Sequence, residues 1–254
     1  MKSTRSNMMV LDEPIYKDEG LRYQINNCRI TEDFLGNLLS SRFAVIAASG
    51  GSVLNYNTFL SSLPAPNRFT KTMVNFVNAA AAASNSGIVL GGNSANSVKY
   101  TVGAGSVVLE YHTILRNNST GVLGVDFEAI IGIVNNLTVS SPTDGVYFYA
   151  NRAISNNWIC RTVRGGVTTT SISAVPLVDS QEYILRCEIN SDATQVRYYI
   201  DNVLAATIST NIPLATTALT IGSTLRNLIN GTASARQMFH DFFNLKIDYS
   251  SSKL

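Results

Sequence analysis

The stretch Glu182-Tyr183-Ile184-Leu185-Arg186-Cys187-Glu188-Ile189 sets Tyr183, Leu185, Cys187 and Ile189 on one parity and Arg186 and Glu188 on the other. Successive side chains of a β-strand point to opposite faces, so this spacing predicts a half-buried antiparallel strand. Asn190–Ala193 then reads as a turn, and Val196, Tyr198 and Ile200 repeat the alternation with Arg197 opposite. Asp201-Asn202 is a two-residue hairpin signal, because both side chains tolerate positive φ. Val203–Ser209 is the returning strand. Upstream, Arg164-Gly165-Gly166 makes a similar turn between Trp158–Val163 and Val167–Ser173, and Met238–Tyr249 reads as the last strand. From about residue 98 to residue 249, runs of about 5–8 residues rich in Val, Ile, Thr and Tyr alternate with Gly, Asn, Asp and Pro turns. That spacing is expected of an all-β sandwich or barrel.

N-terminal to this region the pattern weakens. Residues 1–30 read as an arm, with charges clustered at Asp12, Glu13, Lys17, Asp18 and Glu19 and no sustained apolar period. Residues 31–84 read as a mixed connecting segment that packs on a sandwich spanning residues 85–254. Within it, Thr31–Phe43 is expected to hold a short helix, Thr31 serving as N-cap with Glu32 and Asp33 in the first turn. Pro64 and Pro66 break the chain, and the five-alanine run Ala79–Ala83 reads either as a short helix or as a tight packing surface.

Composition narrows the function classes. The 254 residues are 45% hydrophobic and 14% charged, and Asn, Ser and Thr together supply 74 of them. Disorder requires low hydrophobicity and high charge, so a packed core is expected. A net charge of +2 argues against nucleic-acid binding driven by electrostatics. Three cysteines, Cys28, Cys160 and Cys187, form neither a disulfide framework nor a C-x-x-C site and read as buried small hydrophobes. No signal-peptide core and no run of 18 apolar residues occurs, so export and membrane insertion are not expected.

Four segments in this order carry a resemblance: Ser141-Pro142-Thr143-Asp144-Gly145-Val146-Tyr147-Phe148, Asn157-Trp158-Ile159-Cys160-Arg161-Thr162, Glu182–Asn190 and Tyr199-Ile200-Asp201-Asn202-Val203-Leu204-Ala205. Together they resemble the concanavalin-like jelly-roll domains of tail-fibre and other virion proteins of tailed bacteriophages, over roughly residues 85–249. The resemblance implies two packed antiparallel sheets, no catalytic residues of its own, a place on a virion assembled in the host cytoplasm, and a homotrimer. It frames the expectation that residues 1–30 pack on a neighbouring subunit or another virion protein. The function expected is that of a non-enzymatic virion structural protein, either a tail-fibre adhesin recognising a host glycan or a capsid decoration protein.

The alternative on the same sandwich is a glycan-cleaving enzyme. The glucanase pattern Glu-x-Asp-x-x-Glu is absent, and the nearest approach is Asp126-Phe127-Glu128. Carboxylates at i and i+2 sit about 6.5–7 Å apart along a strand, beyond the roughly 5–5.5 Å of a retaining pair. Of the two histidines, His112 lies within an apolar strand and His240 precedes Asp241, which could orient it as a base. Two histidines cannot build a three-His metal site. Asp126 and Asp144 are too sparse for a calcium loop, so no metal or cofactor is expected. Carbohydrate binding has the best candidates. Tyr147, Tyr149 and Trp158 could offer ring faces, and Asn151, Asn156 and Asn157 could offer amides. Trp158 has a competing reading as a residue of the sandwich core.

Overall fold

The computed structural model describes residues 10–11, 27–32, 43–48, 52–56, 73–77, 85–90, 99–117, 123, 127–228 and 236–249. Two long strands organise one layer. β7 (Gly105–Asn117) and β16 (Arg236–Tyr249) pair antiparallel from Gly105↔Tyr249 to Asn117↔Arg236. On the far side of β7 follow β12 (Glu182–Ile189), β13 (Val196–Ile200) and β14 (Val203–Ile208). On the far side of β16 lie β2 (Asn27–Glu32) and β1 (Val10–Leu11), and also β5 (Met73–Val77) with its partner β4 (Ser52–Tyr56).

One irregularity lets β16 serve two neighbours. The register with β7 shifts between His240 and Phe242, leaving Asp241 as a bulge. Before the bulge, Gln237–His240 pair with β5; after it, Phe243–Asp248 pair with β2. The extra residue re-aims the strand, so that Met238 faces the core on one side of the bulge and Phe243, Leu245 and Ile247 face it on the other.

Among the described residues the second layer has seven strands, in the order β11 (Val167–Pro176), β10 (Asn157–Arg164), β9 (Gly145–Ala150), β8 (Phe127–Val134), β15 (Thr220–Asn227), β6 (Asn85–Leu90) and β3 (Phe43–Ala48). Between the layers the aromatic rings interlock edge to face: Phe148 meets Tyr198 at 5.3 Å, Trp158 meets Tyr183 at 5.4 Å, and Phe43 meets Phe243 at 5.1 Å. Edge-to-face packing aligns ring edges with ring faces and adds to the gain from burial. Tyr198 also donates from its hydroxyl to the Arg161 carbonyl at 2.6 Å, a polar tie from one sheet to the other.

The fold class is the expected one: an all-β sandwich of two antiparallel sheets. β12 alternates half-exposed and buried residues along its whole length, as its sequence requires. Both residues of the Asp201-Asn202 turn have positive φ, 52° and 66°, and Ala193 closes its turn at 54°. The N-terminal third differs from expectation. Thr31 and Glu32 do not cap a helix; they end β2, opposite Asn244 and Phe243 of β16. Long-range ladder pairing overrides a local capping preference here. β1 to β5 all belong to the same two sheets as the later strands, with Val10 and Leu11 paired to Arg29 and Cys28 of the same chain. At the other end of the expected helix, Phe43 begins β3; residues 33–42, the Ala79–Ala83 run and most of the arm lie outside the described residues.

Candidate functional site

The middle strands of the seven-stranded sheet are buried on both faces. Every residue of β8 and of β9 is buried. Phe127, Ala129, Ile131 and Ile133 of β8, with Val146, Phe148 and Ala150 of β9, face inward to the main core. The opposite parity faces outward. There Ile130, Val134, Tyr147, Tyr149, Ile159 and Val163 form a second apolar cluster, which Ile46, Val89 and Leu137 complete. Register places Gly222 beside Gly132, and Gly132 beside Tyr147. These adjacent glycines leave bare backbone next to the Tyr147 ring. Leu137, from the β8–β9 connection, occupies that trough, since a Cβ at Gly222 would come within 2.6 Å of its Cδ1.

At one end of this outward face the chemistry turns polar. Tyr149 donates its hydroxyl proton to Glu128 Oε2 at 2.8 Å, and Asn151 Nδ2 donates to the same hydroxyl at 2.9 Å. The Arg161 guanidinium lies 4.0 Å from the Tyr149 ring centroid, a cation–π contact. Arg226 stands directly across from Glu128 in the β15–β8 register. Glu128 is 2% exposed, and its Oε1 has no hydrogen-bond partner among the described residues. Burial raises its carboxyl pKa, while the Tyr149 hydroxyl, Arg226 and Arg161 pull it back. The set offers one carboxylate acceptor, a phenol, an amide, two guanidinium groups and aromatic faces. Among the described strand residues of this face, Glu128 is the one carboxylate, and Asp126 lies outside the described residues.

The structure sorts the residues picked from sequence. Tyr147 and Tyr149 lie together on the outward face, their centroids 6.2 Å apart and nearly perpendicular. Asn151 joins them through Tyr149. Trp158 does not: it is 0% exposed in the core between the sheets, packed on Phe148 and Tyr183. The reason is parity, because position 158 is opposite to Asn157 and Ile159 on β10. Asn157 donates to the Ser173 carbonyl at 2.8 Å, and Asn156 accepts from Arg152 Nε at 3.2 Å, so both amides tie down the loop. Arg161 and Arg226 were not singled out from sequence, and Glu128 was read only with Asp126. Cross-strand register, which sequence does not display, is what brings these three to Tyr149.

The remaining candidates resolve into structural roles. His240 is fully buried, with Nε2 2.7 Å from Ser223 Oγ across the sheets, and burial pushes its pKa down to about 3. A Ser–His pair sealed in the core has no route to a substrate. His112 lies on the outer face of the nine-stranded sheet between Glu110 at 3.5 Å and Glu182 at 3.7 Å. Cys160 and Cys187 are free and buried, and burial pushes both thiols up to about 12. Asp144 accepts from the Gly165 amide at 3.0 Å and so clasps the β10–β11 turn. Among the described residues no group of three His, Cys, Asp or Glu side chains could hold a metal ion.

Comparisons add a family and a fold. The model of the family "SO2946-like, C-terminal domain" matches residues 81–241, more than half of the chain. Of solved structures, the protein of unknown function SO2946 from Shewanella oneidensis MR-1 is similar at 13% identity with a TM-score of 0.60, over 90% of this chain and 89% of that one. The carbohydrate recognition domain of Emp47p is similar at 11% identity and a TM-score of 0.56, over 86% and 94%. Endo-beta-1,4-glucuronan lyase from the fungus Trichoderma reesei is similar at 11% identity and a TM-score of 0.57, over 89% and 99%. At these identities the likeness is one of fold: the concanavalin-like sandwich is common to lectins and to glycan-cleaving enzymes. No curated protein matches the chain.

Proposed function

The chain belongs to the SO2946-like, C-terminal domain family, and on that premise we propose that it is a non-enzymatic carbohydrate-recognition sandwich. The observation that carries this reading is the outward Tyr147–Tyr149 pair with Glu128 and Asn151 at its end. A sugar ring presents an apolar face to an aromatic ring and hydroxyls to a carboxylate and an amide, and this face supplies both. These side chains are covered in the free protein, so binding displaces Leu137 and its connection from the Gly132–Gly222 trough. Titration of a panel of neutral and acidic oligosaccharides tests the reading. The expected result is saturable binding that Glu128→Gln weakens at least tenfold without loss of fold. Absence of binding across the panel at millimolar concentration would overturn it.

The setting we propose is the surface of a bacteriophage particle, as a tail-fibre adhesin or a capsid decoration protein. The order of the four segments between residues 141 and 205 supports that setting. A homotrimer, of about 80 kDa by light scattering, fits the preference of homo-oligomers for closed cyclic symmetry, and the N-terminal arm is the proposed contact with other virion proteins. Labelling of intact particles with an antibody to the chain tests the location.

One observation favours a second reading, cleavage of a glycan. Glu128 is a buried carboxyl with a raised pKa and an oxygen that has no hydrogen-bond partner among the described residues, the state required of a general acid. Incubation with β-linked glucans and polyuronates separates the readings. Product formation that disappears in Glu128→Gln would establish an enzyme; unchanged polymers would leave recognition alone.

A further inference from the structure

A groove of about 380 Å³ opens where the core runs out, at the end of β10 opposite to Asn157. Its floor is Ala193 and Ile212, both packed on the main core. Its walls are polar: Arg164, Thr194, Ser209, Thr210 and Asn211. The size lies within the roughly 300–1,000 Å³ of small-molecule sites, and an apolar floor with a few convergent polar groups is their usual character.

The walls are built before any ligand arrives. Thr162 donates to the Thr210 carbonyl at 2.7 Å, Asn211 Nδ2 donates to Thr169 Oγ1 at 2.9 Å, and the hydroxyls of Thr169 and Thr210 lie 2.8 Å apart. These bonds pin the segment after β14 to the β10–β11 hairpin. Asn211 holds a left-handed φ of 51°, which aims the following Ile212 back into the core. On the facing wall, Asn190 Oδ1 accepts from the amides of Thr194 and Gln195, at 2.9 and 2.8 Å, and fixes the β12–β13 turn.

Arg164 gives the groove its charge preference. It is exposed, and among the described residues it makes no ion pair. Arg164 is the one charged residue among those lining the groove, and the carboxylates of the adjoining turns accept hydrogen bonds from those turns. Asp144 accepts from the Gly165 amide, and Asp192 accepts from Thr194 Oγ1 at 2.9 Å. A guanidinium is a planar fork suited to bidentate contact with a carboxylate. Ser209, exposed beside it, offers a hydroxyl, and Asn211 offers an amide.

We propose that this groove binds a monosaccharide-sized acidic sugar, with Arg164 on its carboxylate and Ser209, Thr210 and Asn211 toward its ring hydroxyls. The site is separate from the Tyr147–Tyr149 face, and either can fail without the other. Titration of the full chain with sodium glucuronate, with glucose and sodium acetate as controls, tests it by NMR shift changes or calorimetry. Glucuronate is expected to bind at least tenfold more tightly than either control. Arg164→Gln should weaken it at least tenfold with unchanged thermal unfolding, and Lys246→Gln, an exposed position on β16, should leave it unaltered. The proposal is overturned if glucuronate fails to bind, if it binds no better than acetate or glucose, or if Glu128→Gln abolishes binding while Arg164→Gln does not.

Discussion

β8 and β12 have the same length, and each lies inside its sheet, yet they meet different surroundings. β12 turns Glu182, Ile184, Arg186 and Glu188 outward, and all four remain half-exposed. β8 turns Glu128, Ile130, Gly132 and Val134 outward, and all four are buried. A two-layer sandwich requires only the inward faces to be covered. The outward face of the middle strands of the seven-stranded sheet is therefore a third interior surface, and its polar members are held away from water without being part of the main core. Charge on β12 is a solvated face; charge on β8 is a committed group with named partners.

The strongest way to break this comparison is to place the same charge on both outward faces. Ile130→Lys should destabilise the protein by about 3–5 kcal/mol, because an ammonium would be buried without a partner. Ile184→Lys, at the matching face of β12, should cost less than about 1 kcal/mol. Urea midpoints of the two variants measure the difference, and equal losses would mean that the outward cluster is not an interior.

Acid sharpens the contrast between the two faces of the seven-stranded sheet itself. His240, bonded to the inward Ser223, has a folded pKa of about 3, below its ordinary value. The unfolded chain then binds more protons than the native one between about pH 3 and 6.5. Stability due to this group is full above pH 6.5 and is lost as pH falls, by about 2 kcal/mol between pH 7 and pH 5. His240→Gln should flatten that slope in denaturation measured at the two pH values. Glu128, outward, has the opposite sign. Its folded pKa is raised, so its contribution grows as pH falls through that value and is weakest at neutral pH. Glu128→Gln should leave stability at pH 7 unchanged or raise it by up to about 1 kcal/mol, with the gain shrinking near pH 4.5. Thermal unfolding at both pH values checks the sign.

The smallest effect marks where the covering ends. Ile172 of β11 pairs with Ile159 in the same outward row, yet it is 56% exposed. Ile172→Thr should change stability by no more than about 0.5 kcal/mol. A larger loss, read as a shifted urea midpoint, would extend the third surface to the sheet edge.

This same contrast decides what could be read from sequence. β12 and β13 were legible because one face is wet: polar and apolar residues alternate, and Asn and Asp mark the turns. β8, Phe-Glu-Ala-Ile-Ile-Gly-Ile-Val, has no alternation to read, because both of its faces are dry. Trp158 was misplaced among the candidate ring faces for a related reason. The loop between β9 and β10 resets parity, so the side of the sheet cannot be carried from Tyr149 to Trp158 by counting. Thr31 and Glu32 have good capping chemistry, but ladder bonds to β16 outweigh it. Of the candidate site, the Tyr147–Tyr149 pairing follows from strand parity alone. The meeting of Glu128 with Tyr149, 21 positions apart, follows from the Ile130↔Tyr149 register. The groove beside Arg164 follows from three turns converging at one end, which no local pattern announces.

The bulged β16 has a consequence for the order in which the molecule is made. Synthesis delivers β2 and β5 early, but in the nine-stranded sheet each docks on β16, whose residues 236–249 emerge after every other described strand. Glu32 waits for Phe243, and Val77 for Gln237. Until then the two early hairpins have open edges, and the layer that carries the Arg186–Glu188 face has no seam joining its halves. Contacts of such sequence separation form slowly. Closure of this sheet is thus late rather than progressive, with β16 acting as the zip that joins β2 and β5 to β7.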